Sequence, residues 1–295
     1  MILVTGATGF VGRHLCHALK AAGHEVRALV RDTSPLEVLP GGIHTAVGDV
    51  VTGHGLGDAC GGCDTVIHLV SIIRETMTMT FDKVQVGGTA HLLAAATENG
   101  VGRIVYMSAL GTGRGIPTGY FETKARAESL VQASRLGWAI LRPAIVLGKG
   151  AGFTRALVGL MRKGPVIPVA GSGRARMEPI AVEDLSAAVC ALLGREDLWR
   201  RVSEIGGPEA VTFNDLLRLT AGQLGLRKPL LHIPLAVMFP LARLMGLLPG
   251  EPPVTVDELT MLAHEALCDP NALLEFGVQP TPLSQALARS IGGKE

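Results

Sequence analysis

Charge and cysteine are both sparse in this sequence. The 295 residues carry a net charge of +1, so they predict no broad attraction to nucleic acid or to an anionic membrane. Five cysteines are an odd number for a chain of this length and do not indicate a disulfide framework. The N-terminus lacks the basic start and the small-residue cleavage site of a signal peptide. We therefore expect a cytoplasmic protein that does not bind nucleic acid.

No apolar run in the sequence is long enough to cross a membrane. The most apolar segment, Pro229–Gly250, is interrupted by Pro234 and Pro240. Between His232 and Arg243 lie only ten uncharged residues, whereas a spanning helix needs about twenty. Three interpretations of the segment stay open: a core helix, a flap over an apolar substrate, or a surface for a protein partner or for the inner membrane.

Short apolar runs alternate with helical patterns through the first half of the chain. The run "MILVTG" is followed by a helical pattern that ends at Gly23, and this order repeats up to "WAILRPAIVLG". Continuous apolar strands separated by helices are typical of a parallel sheet that is covered on both faces. The sequence therefore predicts an α/β fold with a Rossmann-type, doubly wound parallel sheet.

The second half of the chain has a looser and mainly helical pattern. We expect residues 1–147 to form the nucleotide-binding core, and residues 148–295 a smaller helical region that interleaves with it in one compact unit. Thr255 begins a capping-box pattern at the start of one helix. Thr281 is predicted to cap another helix, with Pro282 at the first helical position.

The stretch "TGATGFVG" places three glycines in a G-x-x-G-x-x-G spacing between a strand and a helix. Glycine lets the backbone approach a pyrophosphate, whose charge then lies at the helix N-terminus. An ordinary tight turn between strand and helix is the alternative. The candidate dinucleotide-binding residues of this stretch are Gly6, Thr8, Gly9, Phe10, Val11 and Gly12.

The end of the second strand bears on the choice of nicotinamide cofactor. An acidic residue there would bond the adenine ribose, whereas an arginine suits a 2′-phosphate. The sequence reads "ALVRD", so Arg31 comes first and Asp32 follows. Arg31 can bind a phosphate in a forked geometry, with help from Arg13. We predict that the cofactor is NADP(H), with NAD(H) as the alternative. If Arg31 binds no cofactor, Arg31 and Asp32 are simply a solvated pair of charges.

Further cofactor contacts are predicted from the sheet order, because ligands lie beyond the carboxyl ends of parallel strands. A carboxylate at the end of the third strand could accept a hydrogen bond from the adenine amino group. The residues at the ends of the third, fourth and fifth strands are Asp49, Val50, Leu69, Val70, Ser71, Met107 and Ser108, and Pro143, within the predicted strand "WAILRPAIVLG", is a further candidate.

The stretch "GYFETK" contains one of only two tyrosines in the chain. Its spacing puts Tyr120 and Lys124 on one face of a helix. Such a pair occurs by chance in many helices, so the exposed start of a helix is the alternative to a catalytic pair.

The motifs "TGATGFVG", "GDV", "VIHLV", "MSALG", "YFETK" and "LRPAIVLGKG" together resemble the extended or atypical branch of the short-chain dehydrogenase/reductase superfamily. A closer resemblance is to the group around the NADPH-binding accessory subunit of respiratory complex I and its bacterial relatives. The stretches "HLVSIIRE", "EIGGPEAVTFNDLL" and "DPNALLEFGVQPTPLSQAL" carry it almost to the C-terminus.

The resemblance implies catalytic roles for three residues. Tyr120 would be the general acid/base and also a cofactor contact, Lys124 its activator and a holder of the nicotinamide ribose, and Ser108 the group that orients the substrate. A tyrosine of ordinary pKa about 10 must fall by about three units to act near neutrality, and a cation about 4 Å away supplies a term of that size. We therefore expect Lys124 to lower the pKa of Tyr120.

Three functions follow from the resemblance. The first is an NADP(H)-dependent oxidoreductase acting on a small or apolar carbonyl or hydroxyl compound. The second is a non-catalytic NADPH-binding accessory or redox-sensing protein. The third, nucleotide-sugar epimerase or dehydratase chemistry, fits less well, because Pro179 and Ala181 stand where those enzymes usually carry an aromatic residue and a histidine. Gln85 also replaces an asparagine of much of the branch. The substrate is open, and either a monomer or a dimer is expected.

Two other signals do not predict a site. Cys60 and Cys63 form "CGGC" without a second pair or nearby histidines at ligand spacing, so we predict a glycine-rich loop and no metal. His68 ends an apolar strand and is interpreted as a core histidine with satisfied hydrogen bonds.

Overall fold

The computed structural model describes residues 1–246 and 252–292. Its strands are β1 Ile2–Thr5, β2 Val26–Val30, β3 His44–Val47, β4 Thr65–His68, β5 Arg103–Met107, β6 Gly137–Pro143, β7 Val146–Leu147, β8 Ile167–Ala170, β9 Arg176–Met177, β10 Ile180–Ala181, β11 Val202–Ile205, β12 Val211–Thr212 and β13 Leu230–Ile233. Its α-helices are α1 Phe10–Ala21, α2 Leu56–Cys60, α3 Gly88–Glu98, α4 Gly119–Ala133, α5 Gly152–Arg162, α6 Val182–Leu193, α7 Phe213–Gln223, α8 Leu235–Met245, α9 Val256–Ala263 and α10 Leu283–Gly292. A π-helical segment, Asp82–Gly87, continues into α3.

Seven of these strands form one parallel sheet in the order β11-β6-β5-β4-β1-β2-β3. From β1 the chain adds β2 and β3 on one side, and it then adds β4, β5 and β6 on the other side, so the order of the strands reverses between β1 and β4. In doubly wound sheets this switch point opens a crevice beyond the carboxyl ends of the two strands, and ligands bind there. The predicted Rossmann-type fold is confirmed.

Helices cover both faces of the sheet, as continuous apolar strands require. On one face, Leu15 and Leu19 of α1 pack with Leu185 of α6. On the other face, Leu92 of α3 packs with Val131 of α4. Full burial of each such side chain contributes about 1.5–3 kcal/mol. Both layers therefore hold the strand ends rigidly at the crevice.

The second half contains more strand than the helical pattern predicts. The strand pairs β7 with β10, β8 with β13 and β9 with β12 form three small sheets, and β11 joins the large one. The predicted strand "WAILRPAIVLG" is divided into β6 and β7. Two hydrogen bonds explain the division. The Ala144 amide donates to the Ile205 carbonyl of β11, in the large sheet, whereas the Ile145 carbonyl accepts from the Ile180 amide of β10, in a small sheet.

One of the two predicted helix caps is confirmed. Thr255 and Glu258 form both reciprocal bonds of a capping box at the start of α9. The cap predicted at Thr281 stays a prediction, and the contact described there is a hydrogen bond that the Thr281 hydroxyl donates to the Asp184 carboxylate at 2.7 Å. The first amide of α10 donates to Glu209 at 2.9 Å.

The apolar segment Pro229–Gly250 forms β13 and α8. Its last four residues, 247–250, lie outside the described ranges. Across residues 1–246 and 252–292, no helix combines the length and the apolarity that crossing a membrane requires.

Candidate functional site

The glycine-rich turn between β1 and α1 depends on glycine for its shape. Gly6 has a φ of +70°, a backbone conformation that favours glycine. A β-carbon on Gly12 would clash with the Gly6 carbonyl oxygen and would come within 2.7 Å of the Ala7 Cα. The third glycine therefore lets the helix start directly against the turn.

The N-terminus of α1 has the features of a phosphate site. In the described chain no side chain caps it at Gly9, and its first turn contains no acidic residue. The first-turn residues are Phe10, Val11 and Gly12, and Thr8 lies in the turn before them. Since free amides and the helix dipole favour an anion, the residues present fit a pyrophosphate.

Arg31 and Arg13 occupy different surroundings. Arg31 directly follows β2, and its side chain is exposed at the carboxyl edge of the sheet. The Arg13 guanidinium instead donates to the Lys149 carbonyl at 2.6 Å. It also lines a cavity of about 240 Å³ with His14 and His17. Of these two arginines, Arg31 is therefore the one whose side chain is exposed at the end of β2.

The loop after β3 is held by its own hydrogen bonds. Asp49 accepts a hydrogen bond from the Val51 amide at 2.7 Å through Oδ1, which organises the turn. Val50 is buried and lies 3.2 Å from the position that a β-carbon on Gly88 would take. Asp49 Oδ1 is thus already engaged within the loop.

The end of β4 meets the glycine-rich turn. A β-carbon on Gly6 would lie 3.2 Å from both the Leu69 carbonyl carbon and the Val70 amide nitrogen. The structure therefore brings together two stretches that are separated by more than sixty residues in the sequence, at the switch point of the sheet.

The ends of β5 and β6 are tied to each other. The Ser108 amide donates to the Leu141 carbonyl at 2.8 Å, and the Leu110 amide donates to the Pro143 carbonyl at 2.9 Å. The Ser108 hydroxyl lies 3.3 Å from the Thr112 hydroxyl. Ser108 is buried directly after the end of β5.

Tyr120 lies in an apolar cluster at the start of α4. Its ring contacts Phe81 and Phe121 edge-on, with ring centroids 5.9 and 5.3 Å away. Ile72 and Met261 complete the cluster from two other parts of the chain. Only 9% of Tyr120 is exposed, so the residue is not the exposed start of a helix.

Burial raises the pKa of Tyr120, whereas the sequence predicts that it is lowered. Removal from water raises its pKa to about 12, and a hydrogen bond with the Ser71 side chain offsets part of that rise. The prediction that Lys124 lowers the pKa of Tyr120 is wrong for this structure. Tyr120 therefore keeps its proton at neutral pH.

Lys124 is buried beneath the same helix. Its ammonium donates to the Met107 carbonyl at 2.8 Å and lies 4.9 Å from the centre of the Tyr106 ring. Burial lowers the pKa of Lys124 to about 7, while the carboxylate of Glu128 opposes that change. The ammonium is thus drawn to the end of β5.

Sequence reasoning missed the pair that lies behind Lys124. Glu128 accepts two hydrogen bonds from the Arg142 guanidinium, at 2.9 and 2.7 Å, and both side chains are largely buried. Glu128 follows Lys124 by four residues, just as Lys124 follows Tyr120, so all three residues lie along one face of α4. That signal was available in the sequence.

His68 is a core histidine, but only one of its nitrogens is satisfied. Nδ1 lies 2.7 Å from the Thr5 hydroxyl. Nε2 has no partner among the described residues. Burial, together with the nearby positive charge of Lys124, lowers the pKa of His68 to about 3. The imidazole is therefore neutral.

An acidic cavity of about 360 Å³ adjoins the Tyr120 cluster. Its lining includes Phe81, the carboxylates of Glu75, Asp82, Glu122 and Asp257, and Arg126, which pairs with Asp82. The Asp257 carboxylate lies 3.5 Å from the Tyr120 amide nitrogen, and burial raises the pKa of Asp257. Helix α9 thus contributes to the surroundings of Tyr120.

Comparison with known proteins places this geometry in a family. Residues 6–170 match the model of the NAD(P)H-binding family. The chain belongs to this family. Ceramide reductase of Caulobacter vibrioides is 30% identical over 79% of this chain and 74% of its own length. The match confirms an NAD(P)-binding protein of an oxidoreductase- and epimerase-like family.

A plant relative and a bacterial structure extend the comparison. The Arabidopsis thaliana protein NADH dehydrogenase (ubiquinone) 1 alpha subcomplex subunit 9, mitochondrial, is 26% identical over 92% of this chain and 71% of its own length. This confirms the resemblance to the complex I group. UDP-glucose 4-epimerase of Thermus thermophilus, in complex with NAD, superposes with a TM-score of 0.75 over 99% of this chain and 97% of its own, at 21% identity. That similarity shows that the two chains share the same Rossmann-type fold.

Proposed function

We propose that the protein is an NADP(H)-dependent reductase of an apolar carbonyl compound, with Tyr120 as the proton donor. One observation carries the proposal. A protonated tyrosine lies in an apolar cluster on the helix that also supplies the buried Lys124, at the carboxyl ends of the parallel strands.

The residues present fit the cofactor in three places. The turn from Gly6 to Gly12 and the N-terminus of α1 would hold the pyrophosphate. Arg31 would bind the 2′-phosphate, and Lys124 would hold the nicotinamide ribose. When bound, NADPH supplies the hydride for reduction.

Tyr120 suits reduction better than oxidation. A carbonyl oxygen must gain a proton as its carbon is reduced, and a hydroxyl of pKa about 12 is protonated at neutral pH. The Tyr120 hydroxyl would donate that proton and then regain one from solvent. In the oxidative direction the same group would have to begin as the phenolate, which a pKa of about 12 makes scarce at neutral pH.

The substrate class follows from the surroundings of Tyr120. Phe81, Phe121, Ile72 and Met261 offer apolar contacts and few hydrogen bonds. A substrate with an apolar body beside its carbonyl group would make favourable contacts with these side chains. The name of the Caulobacter vibrioides relative, ceramide reductase, agrees with such a substrate.

A non-catalytic NADPH-binding protein is the second candidate. It is favoured by the tight packing around Tyr120, which leaves 9% of the residue exposed, and by the match to the Arabidopsis thaliana subunit over 92% of the chain. Nucleotide-sugar chemistry draws no support from the similarity of fold, since Pro179 and Ala181 stand where those enzymes usually carry an aromatic residue and a histidine.

A turnover screen distinguishes the two candidates. The protein would be incubated with NADPH and a panel of ketones and aldehydes, from short-chain compounds to long-chain and polycyclic ones. We expect NADPH consumption that increases with the apolar size of the substrate. Tight NADPH binding without consumption across the panel would favour the non-catalytic protein.

A further inference from the structure

Helix α8 presents an apolar face to solvent. Val237, Leu241 and Leu244 are exposed by 56%, 49% and 61%, and their spacing of four and three residues puts them on one side of the helix. Leu231, in the strand just before α8, is exposed by 50%. Globular surfaces seldom group large apolar side chains in this way without a partner.

The helix is nevertheless anchored to the protein. Strand β13 pairs with β8 and leads directly into α8. Leu235 lies 3.1 Å from the position that a β-carbon on Gly171 would take, and Ala242 is buried. The apolar side chains opposite these contacts are therefore held outward by a fixed scaffold.

The sequence that leads into and through α8 is basic, and the acidic residues Asp257 and Glu258 follow on α9, which packs against α8. Between Leu216 and Gly250 the sequence contains four cationic residues and no carboxylate, although the whole chain has a net charge of only +1. Two of these cations, Arg227 and Arg243, lie close to α8 in the sequence and have exposed side chains. Basic residues beside an apolar helix face are what an anionic lipid surface attracts.

The exposed helix is also connected to the candidate active site. Helices α8 and α9 pack against each other. On α9, Met261 belongs to the Tyr120 cluster, and the Asp257 carboxylate lies 3.5 Å from the Tyr120 amide nitrogen. One pair of helices therefore reaches from the outer apolar face to the apolar surroundings of Tyr120.

From this arrangement we propose that α8 docks the protein on an anionic lipid bilayer. Val237, Leu241 and Leu244 enter the boundary between headgroups and acyl chains, while Arg227 and Arg243 contact lipid phosphates. The helix lies on the membrane and does not cross it. The proposal goes beyond the reductase function and does not depend on turnover.

Vesicle sedimentation tests the proposal. Full-length protein would be centrifuged with vesicles of phosphatidylcholine alone and with vesicles containing about one third phosphatidylglycerol. We expect sedimentation with the anionic vesicles, and weaker binding at high salt, because salt screens the attraction of the arginines. Leu241→Glu should weaken binding at least tenfold, and Arg243→Glu should weaken binding to anionic vesicles in particular.

A matched control separates docking from general hydrophobicity. Leu274 is exposed by 65% at a site far from α8 in the sequence, so Leu274→Glu should bind vesicles like the wild type. NADPH affinity without vesicles, measured for each variant, shows whether the fold is intact. Failure of the wild type to sediment with anionic vesicles would overturn the proposal, as would undiminished binding of both α8 variants. A dimer that Leu241→Glu dissociates, together with no vesicle binding, would assign the face to a second copy of the chain.

Discussion

The Lys124 ammonium donates a hydrogen bond to the Met107 carbonyl, 2.8 Å away at the end of β5. This bond holds the cation between α4 and the carboxyl end of β5. Tyr120, one helical turn earlier, keeps its proton. The two residues can therefore be tested separately, one for proton transfer and one for the cofactor.

Replacing Tyr120 by phenylalanine should abolish proton donation and leave cofactor binding nearly unchanged. We expect Tyr120→Phe to lose about two to four decades of turnover, the usual size of general acid–base effects, while NADP(H) binding stays nearly unchanged. Steady-state rates and a cofactor titration measure the two effects. The matched control is Tyr106→Phe, which removes the hydroxyl of the other buried tyrosine and should keep its activity. Undiminished turnover in Tyr120→Phe would contradict the mechanism.

Lys124 should make stability depend on pH. Its pKa is about 7 in the folded protein and 10.5 in the unfolded chain. The unfolded chain therefore binds more protons between these values, and folding becomes more favourable as the pH rises. Relative to Lys124→Met, the wild type should gain up to about 1.4 kcal/mol of unfolding free energy per pH unit between pH 7 and 9. Urea denaturation at several pH values measures the difference.

The control for Lys124 is Lys163→Met, since Lys163 is exposed at the end of α5. It should leave the pH dependence of the wild type unchanged. Parallel curves for the wild type and Lys124→Met would show that the ammonium is not desolvated. In the cofactor titration, Lys124→Met should also weaken NADP(H) binding, because the residue would hold the ribose.

His68 should destabilise the protein in acid. Its pKa is about 3 in the folded protein and 6.5 in the unfolded chain. Between these pH values the unfolded chain therefore binds a proton at His68 that the folded protein does not bind. Stability should fall as the pH drops from 6.5 toward 3. The variant His68→Phe cannot take up that proton, and its unfolding free energy should fall less steeply with acid. Chemical denaturation at pH 7, 5.5 and 4.5 tests this, and equal slopes for both proteins would refute it.

Arg31 should determine the preference for a 2′-phosphate. A hydrogen bond to a charged group contributes about 1.5–3 kcal/mol, so Arg31→Asp should weaken NADP(H) binding about 10- to 100-fold and leave NAD(H) binding nearly unchanged. Titration with both cofactors measures the preference. Arg135→Asp makes the same charge change just before β6, toward the opposite edge of the sheet, and should have little effect. An unaltered preference in Arg31→Asp would exclude this role.

Local sequence patterns predicted the sheet, the glycine-rich turn and the helix that carries Tyr120, because strand and helix periods are local properties. They could not predict the electrostatics of the site. The four-residue spacing puts Tyr120 and Lys124 on one helix face, but the ammonium turns to Met107, seventeen residues earlier. Phe81, thirty-nine residues before Tyr120, contacts the ring edge-on and helps to bury it, and burial raises the pKa of Tyr120. Both effects depend on contacts between distant parts of the chain.

Strand β11 gives the order of synthesis a role in folding. The large sheet is completed at its outer edge only when Val202–Ile205 pairs with β6. Until the ribosome has made those residues, β6 presents unpaired amides and carbonyls, which other chains can join. A fragment that ends at Leu147 would keep that open edge permanently. We therefore expect the nascent protein to be more prone to aggregation before β11 has been made than after it has paired with β6.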